Sequence, residues 1–183
     1  MPRHLALEAA DRQATNAMRG VVSTPNLDRV IWDIRLPRGM ASGCIFCRMV
    51  AGEIGVPHWI AQTDRALAFL DIQPIRVGHA LVIPRRHSTN LADVTPEDWT
   101  AMSQLVLEVS RLLRRRLGTD GENLLVASGP GSEQTVLHLH VHVIPRKRDD
   151  DLHWDDWWRT KKFSPPEAEL LALARKIRGE SPP

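Results

Sequence analysis

Thr135-Val136-Leu137-His138-Leu139-His140-Val141-His142-Val143-Ile144 is the stretch on which the fold turns. A strand sends alternate side chains to opposite faces. Read as one strand over 136–144, it points Leu139, Val141 and Val143 one way and His138, His140 and His142 the other. The apolar face suits packing on a helix, and the imidazoles would stand in a row roughly 7 Å apart. A single histidine there is ordinarily a hydrogen-bonded or half-exposed residue. Three in strict alternation on an apolar strand each need a partner, because an unpaired polar group is costly to bury. Two chemistries fit: a metal site made of three histidines, or a nucleophilic site.

Working outward, the clearest helix lies upstream. Thr95 is a good N-cap, Pro96 takes the first helical position, and Asp98 stands at the capping-box position. Trp99, Met102, Leu105, Val106, Val109, Leu112 and Leu113 then recur at three- and four-residue steps, one apolar stripe that Gly118 ends. Strand-like runs are expected at 58–62, 66–71, 79–83, 123–127 and 136–144, separated by turn residues such as Pro74 and Gly78. A short helix is expected over 44–51 and a C-terminal one over about 166–178. Together these predict an α+β domain: an antiparallel sheet of about five strands with one long helix. Upstream, Leu5–Met18 is compatible with a short helix, whereas Val21–Met40 shows no sustained period and carries Pro25, Pro37 and Gly39, so that positions 1–39 stand apart from the rest. They are read as an upstream extension, flexible or a non-native start, and 40–183 as the domain with its tail.

Composition narrows the function classes. No apolar run approaches the roughly 18 residues of a membrane span, and Arg3 is followed by no signal-like apolar core, so a cytoplasmic protein is expected. A formal charge of +2 argues against a general nucleic-acid binder, although basic residues bunch at 111–116 and 146–148. The two cysteines, Cys44 and Cys47, have C-x-x-C spacing. Zinc, a redox pair and two buried thiols are all open, but no strand leads into Cys44 as a thioredoxin-like pattern requires.

His138-Leu139-His140-Val141-His142-Val143-Ile144 resembles the signature of the histidine-triad (HIT) superfamily. Cys44-Ile45-Phe46-Cys47, Phe69-Leu70-Asp71-Ile72, Gly78-His79-Ala80-Leu81-Val82-Ile83-Pro84 and Gln134-Thr135-Val136 resemble its other blocks, in order and spacing. The similarity runs from about Gly43 to Arg146. It implies a HIT-like fold and a nucleotide hydrolase that forms a homodimer across a two-fold axis, as one branch of the family does. By that resemblance His140 is the nucleophile toward the α-phosphorus, His142 contacts phosphate and assists the leaving group, and His79 orients the triad. Gln134 and Thr135 would supply donors to phosphate, Asp71 and Ile72 would face the ribose, and Ile45, Phe46 and Phe69 would form the slot for a purine base. Bacterial members that share the cysteine pair imply a structural zinc held by Cys44, Cys47, His87 and His138. The expected substrates are purine phosphoramidates or dinucleoside polyphosphates. Two positions depart from the pattern: Ala127 where asparagine is common, and Glu133 where glycine is common.

The tail 151–159 carries Trp154, Trp157 and Trp158. It reads equally as a docking segment or as a selector of the leaving group. The rival to a hydrolase is a zinc-stabilised nucleotide- or nucleic-acid-binding module without significant turnover, which would use the basic clusters but leave His140 and His142 idle.

Overall fold

A computed structural model describes residues 43–56 and 58–180, without the side chains of 155–158. The extension read at 1–39 lies outside the described residues, as do the indoles of Trp157 and Trp158. The elements run α1 (Ile45–Val50), β1 (Trp59–Gln62), β2 (Ala66–Leu70), β3 (Ala80–Pro84), α2 (Pro96–Leu117), β4 (Gly121–Leu125), a 3₁₀ turn (Pro130–Ser132), β5 (Val141–Arg146), α3 (Trp154–Lys161) and α4 (Glu167–Ile177). The chain divides into one unit up to Lys147 and a second from Arg148, which holds α3 and α4. The fold of the first unit is α+β, as expected: five antiparallel strands in the order β1-β2-β3-β5-β4.

The inner strands β2, β3 and β5 are largely buried on both faces, and strand alternation sorts their residues. Ala66, Ala68, Ala80, Val82, Val141 and Val143 pack with Met102, Leu105, Val106, Val109 and Leu113 of α2. Leu67, Phe69, Leu81 and Ile83 turn to the other face and pack with Phe46, Met49 and Val50 of α1. The three alanines on the α2 side let that helix lie close to the strands. Local signals set its ends: Thr95 Oγ1 accepts from the Asp98 N–H at 3.2 Å, and Gly118 closes it at φ 61° with its N–H on the Arg114 carbonyl.

Two strands differ from the sequence expectation. β4 begins and ends two residues earlier than 123–127, because its register with β5 pairs Gly121 with Arg146 and Leu125 with His142. More consequentially, β5 begins at Val141, so the histidine stretch is not one strand. The His138 N–H donates to the Val136 carbonyl at 2.8 Å, a tight local turn, and the Leu139 N–H to the Ser88 carbonyl at 2.6 Å. Of the three histidines only His142 lies within β5, and the evenly spaced row of three imidazoles does not form.

Gly78 closes the β2–β3 loop at φ +88°, where a Cβ would meet Leu117 Cδ1 at 2.6 Å and Leu113 Cδ2 at 3.2 Å. Both the backbone and the space require glycine. Gly78→Ala is expected to destabilise the fold by about 1–3 kcal/mol. An unchanged urea midpoint would show that the loop relaxes freely.

Candidate functional site

Four ligand-type side chains meet where α1 starts. Cys44 is the N-cap of α1 and Cys47 lies in its first turn. His87 follows the end of β3, and His138 arrives from the turn before β5. Their ligand atoms all lie within 4.8 Å of one another. Cys44 Sγ is 3.4 Å from His138 Nδ1, and Cys47 Sγ is 3.2 Å from His87 Nδ1 and 3.6 Å from His138 Nδ1. A tetrahedral zinc with bonds of roughly 2.3 Å to sulfur and 2.0–2.1 Å to nitrogen would set such edges near 3.6 Å. The donor chemistry also fits. His138 is fully buried, and its Nε2–H donates to the Pro84 carbonyl at 2.9 Å, which leaves the Nδ1 lone pair facing the sulfurs. Burial, with the neighbouring His87 and His140 charges, lowers the His138 pKa to about 4, against the opposing pull of the Pro84 bond. Neither cysteine is in a disulfide.

A second cluster of imidazoles sits beside the first. His140 is 4% exposed, and its Nδ1–H donates to the His138 carbonyl at 2.7 Å. That bond assigns the tautomer and leaves Nε2 with a free lone pair. His142 follows on β5, opposite Leu81 and therefore on the α1 face of the sheet. Its Nδ1 lies 2.9 Å from His79 Nε2. His79 Nδ1 accepts from the Ile75 N–H at 3.4 Å and lies 3.7 Å from the Asp71 carboxylate. An acceptor at Nδ1 makes His79 a donor through Nε2. His142 thus accepts at Nδ1 and carries its own proton on Nε2. Burial lowers the His79 pKa, with Asp71 opposing. Burial, then the neighbouring His140 and His79, lower that of His142 to about 4, again with Asp71 opposing. The His140 and His142 ring centres are 4.9 Å apart, with the rings edge-on at 69°.

These rings open onto a pocket of about 270 Å³. Of the residues singled out from the sequence, Ile45, Phe46, Phe69, Asp71, Ile72, Thr135, His140 and His142 all line it. Phe46 stands edge-on to Phe69, His138 and His140 at centroid distances of 5.6–5.7 Å, so one side chain packs against both clusters and the apolar wall. His79 lies behind His142, outside the lining. Gln134 is placed differently from the expectation. Its amide donates to the Thr89 carbonyl at 2.7 Å and the Val136 carbonyl at 2.9 Å and accepts from the Gly129 N–H at 2.9 Å. With its polar atoms so committed, it braces the loop rather than facing the pocket. Glu133 is exposed and adopts φ 59°, a left-handed conformation that accounts for a preference for glycine there.

The pocket also takes in Met49, His58, Gln73, Leu81 and Val136, to none of which the motif reading gave a role at the site. Met49 was findable, since it lies one helical turn after Phe46 on the same face of α1. His58 carried no local signal; it comes to the pocket through its contact with Phe69, at a centroid distance of 6.0 Å. Within the first unit, neither Arg146 nor the arginines in 111–116 line the pocket.

Comparison with known proteins places this arrangement among relatives. A family model described as the HIT domain matches residues 57–149. An adenylylsulfatase of Arabidopsis thaliana is 34% identical over 139 residues, covering 75% of this chain and 70% of that protein. An adenosine 5'-monophosphoramidase of Schizosaccharomyces pombe is 35% identical over 137 residues, covering 74% of this chain and 98% of the relative. The crystal structure of a zinc-bound histidine triad family protein from Mycobacterium smegmatis superposes with a TM-score of 0.58 at 33% identity, covering 75% of this chain and 98% of that one.

A pH dependence follows from the buried imidazoles. The folded pKa of His142 lies below its ordinary value of 6.5. On acidification the unfolded chain therefore takes up the proton first. The stability this group contributes is complete above pH 6.5 and falls as pH drops toward 4. In a ring-resonance NMR titration, His142 should still be neutral at pH 5; a midpoint near 6.5 would contradict its placement.

Proposed function

The chain belongs to the HIT family, and on that premise we propose that it hydrolyses nucleotide conjugates through a nucleotidyl intermediate on His140. The single observation that carries this reading is the His140 Nδ1–H bond to the His138 carbonyl, which leaves the Nε2 lone pair of a buried imidazole at the pocket. In the first step Nε2 attacks the α-phosphorus. A P–N bond forms, and the bond from phosphorus to the leaving group breaks. The departing nitrogen or oxygen accepts a hydrogen bond from the His142 Nε2–H and takes its proton from water. In the second step water attacks the phosphorus, the P–N bond breaks to leave His140 free, and the proton lost by the attacking water passes to solvent. The products are the free leaving group and a nucleoside monophosphate.

The pocket walls support a nucleotide. Ile45, Phe46 and Phe69 offer an apolar slot for a purine, Asp71 an acceptor for the ribose hydroxyls, and Thr135 a hydroxyl near the phosphate. The activities named for the two curated relatives favour an adenine nucleotide. Glu133, an acidic side chain in the loop before Gln134, favours a phosphoramidate or similar single-phosphate conjugate over a dinucleoside polyphosphate.

Zinc on Cys44, Cys47, His87 and His138 would form a closed structural site. When bound it would tie α1 to the sheet and hold the carbonyl of His138 against His140. A homodimer is the expected assembly. The free edge of the sheet at β4 supports it, since Leu124 and Leu125 are 56% and 42% exposed there.

His140→Asn is expected to keep fold and nucleotide binding while lowering turnover roughly 10⁴-fold or more. His142→Asn should cost roughly 10²–10⁴-fold. An acid-labile label from nucleotide substrate should appear on the wild-type enzyme and not on His140→Asn. Near-normal turnover by His140→Asn would leave a nucleotide-binding module without a histidine nucleophile. Elemental analysis should find about one zinc per chain, and Cys47→Ser should lose it together with much of the thermal stability. A metal-free wild type with freely alkylated cysteines would remove the zinc assignment.

A further inference from the structure

Asp98, in the first turn of α2, is 2% exposed, and the proposed chemistry makes no use of it. Its carboxylate accepts from Arg65 Nη1 at 2.8 Å, Arg86 Nε at 2.9 Å and Thr95 Oγ1 at 2.8 Å. Burial pushes its pKa up. The hydrogen bonds from Arg86, Thr95 and Arg65, with the Arg65 charge, outweigh that and hold it below the usual carboxylate range, so it is ionised at neutral pH.

The two arginines lead to different places. Arg65 comes from the β1–β2 turn with its side chain 56% exposed, and its guanidinium ends on Asp98. Arg86 continues. Its Nη2 donates to Ser88 Oγ at 3.1 Å and to the Asp93 carbonyl at 3.0 Å. The Asp93 carboxylate in turn accepts from the Thr89 and Asn90 N–H groups at 2.9 and 3.0 Å. Residues 86–90 are thereby held from both sides. That segment contains His87. Its Ser88 carbonyl accepts from Leu139, the residue between His138 and His140, and its Thr89 carbonyl accepts from Gln134.

We propose that Asp98 is a positioning residue for both histidine clusters: through Arg86 its buried carboxylate sets the 86–90 segment, which carries His87 and anchors the backbone between His138 and His140. The proposal rests on the metal and nucleophile assignments above. A charged group is suited to the task because its bonds to guanidinium are directional and, away from water, stiff. Displacing the segment would move a metal ligand and the carbonyl-bonded imidazole together.

The test compares Asp98→Asn, Arg86→Gln and Arg65→Gln in the full chain. The readouts are zinc retention against a chelator, kcat and KM with an adenosine phosphoramidate, and the NMR resonance of the His140 ring N–H. Asp98→Asn and Arg86→Gln should hold zinc roughly 10–100-fold more weakly, lower kcat with little change in KM, and shift or broaden the His140 resonance. Arg65→Gln should lower the melting temperature yet leave zinc retention and the resonance as in wild type. The proposal is overturned if Arg86→Gln and Arg65→Gln behave alike in these readouts, or if Asp98→Asn retains zinc and the resonance unchanged. Should Asp98→Asn fail to fold, the two arginine variants decide. Should the wild type lack zinc or turnover, those earlier assignments fail, and the His140 resonance alone decides the role of Asp98.

Discussion

The Leu139 N–H reaches the Ser88 carbonyl at 2.6 Å, and that bond governs how the histidines are distributed. A buried backbone donor must be paired, and the carbonyl that pairs this one belongs to the segment after β3 rather than to a neighbouring strand. The chain therefore stays off the ladder until Val141. Leu139 still reaches the core beneath α2 and is fully buried. His138 turns toward the cysteines of α1, and its carbonyl is left to accept from His140. One departure from strand geometry thus divides three closely spaced histidines between a metal-type cluster and a pocket.

Within each cluster, the direction of hydrogen bonding decides what an imidazole can do. Every one of these rings commits one nitrogen and keeps the other available. His138 gives Nε2–H to Pro84, His140 gives Nδ1–H to His138, and His142 accepts at Nδ1 from His79. A ring fixed in this way is a defined lone pair or a defined donor. Burial and mutual repulsion of the rings lower the pKa of His138 and His142 and keep both neutral at physiological pH. A charged imidazole could serve neither as a ligand nor, at the nucleophile, as an attacking base.

The sheet gives these groups a rigid support because its two faces do different work. Alanines on one side admit the long helix, and larger side chains on the other make room for α1 and the pocket. Phe46 joins the systems on that side, its ring set edge-on to Phe69, His138 and His140. Loss of packing at α1 would be felt at both clusters. On the α2 side, the tight approach of Leu113 and Leu117 to Gly78 fixes the loop that carries Asp71 to His79.

Much of this was legible from residues alone wherever the signal is local. Thr95, Pro96, Asp98 and Gly118 bound α2 within the sequence itself, because capping bonds span only a few positions. Alternation placed the first three strands to within a residue, and the family resemblance carried by the Cys, Asp and His blocks named most of the residues that line the pocket. The start of β5, the separation of His138 from His140, the bracing role of Gln134 and the arrival of His58 were not legible. Each depends on which group from a distant part of the chain stands opposite: Ser88 for Leu139, Thr89 for Gln134, Phe69 for His58. An alternating apolar pattern is compatible with a strand but does not require one. Residue order decided which side chains were available, and the tertiary structure decided which carbonyl each donor met, because a hydrogen bond depends on distance in space rather than along the chain.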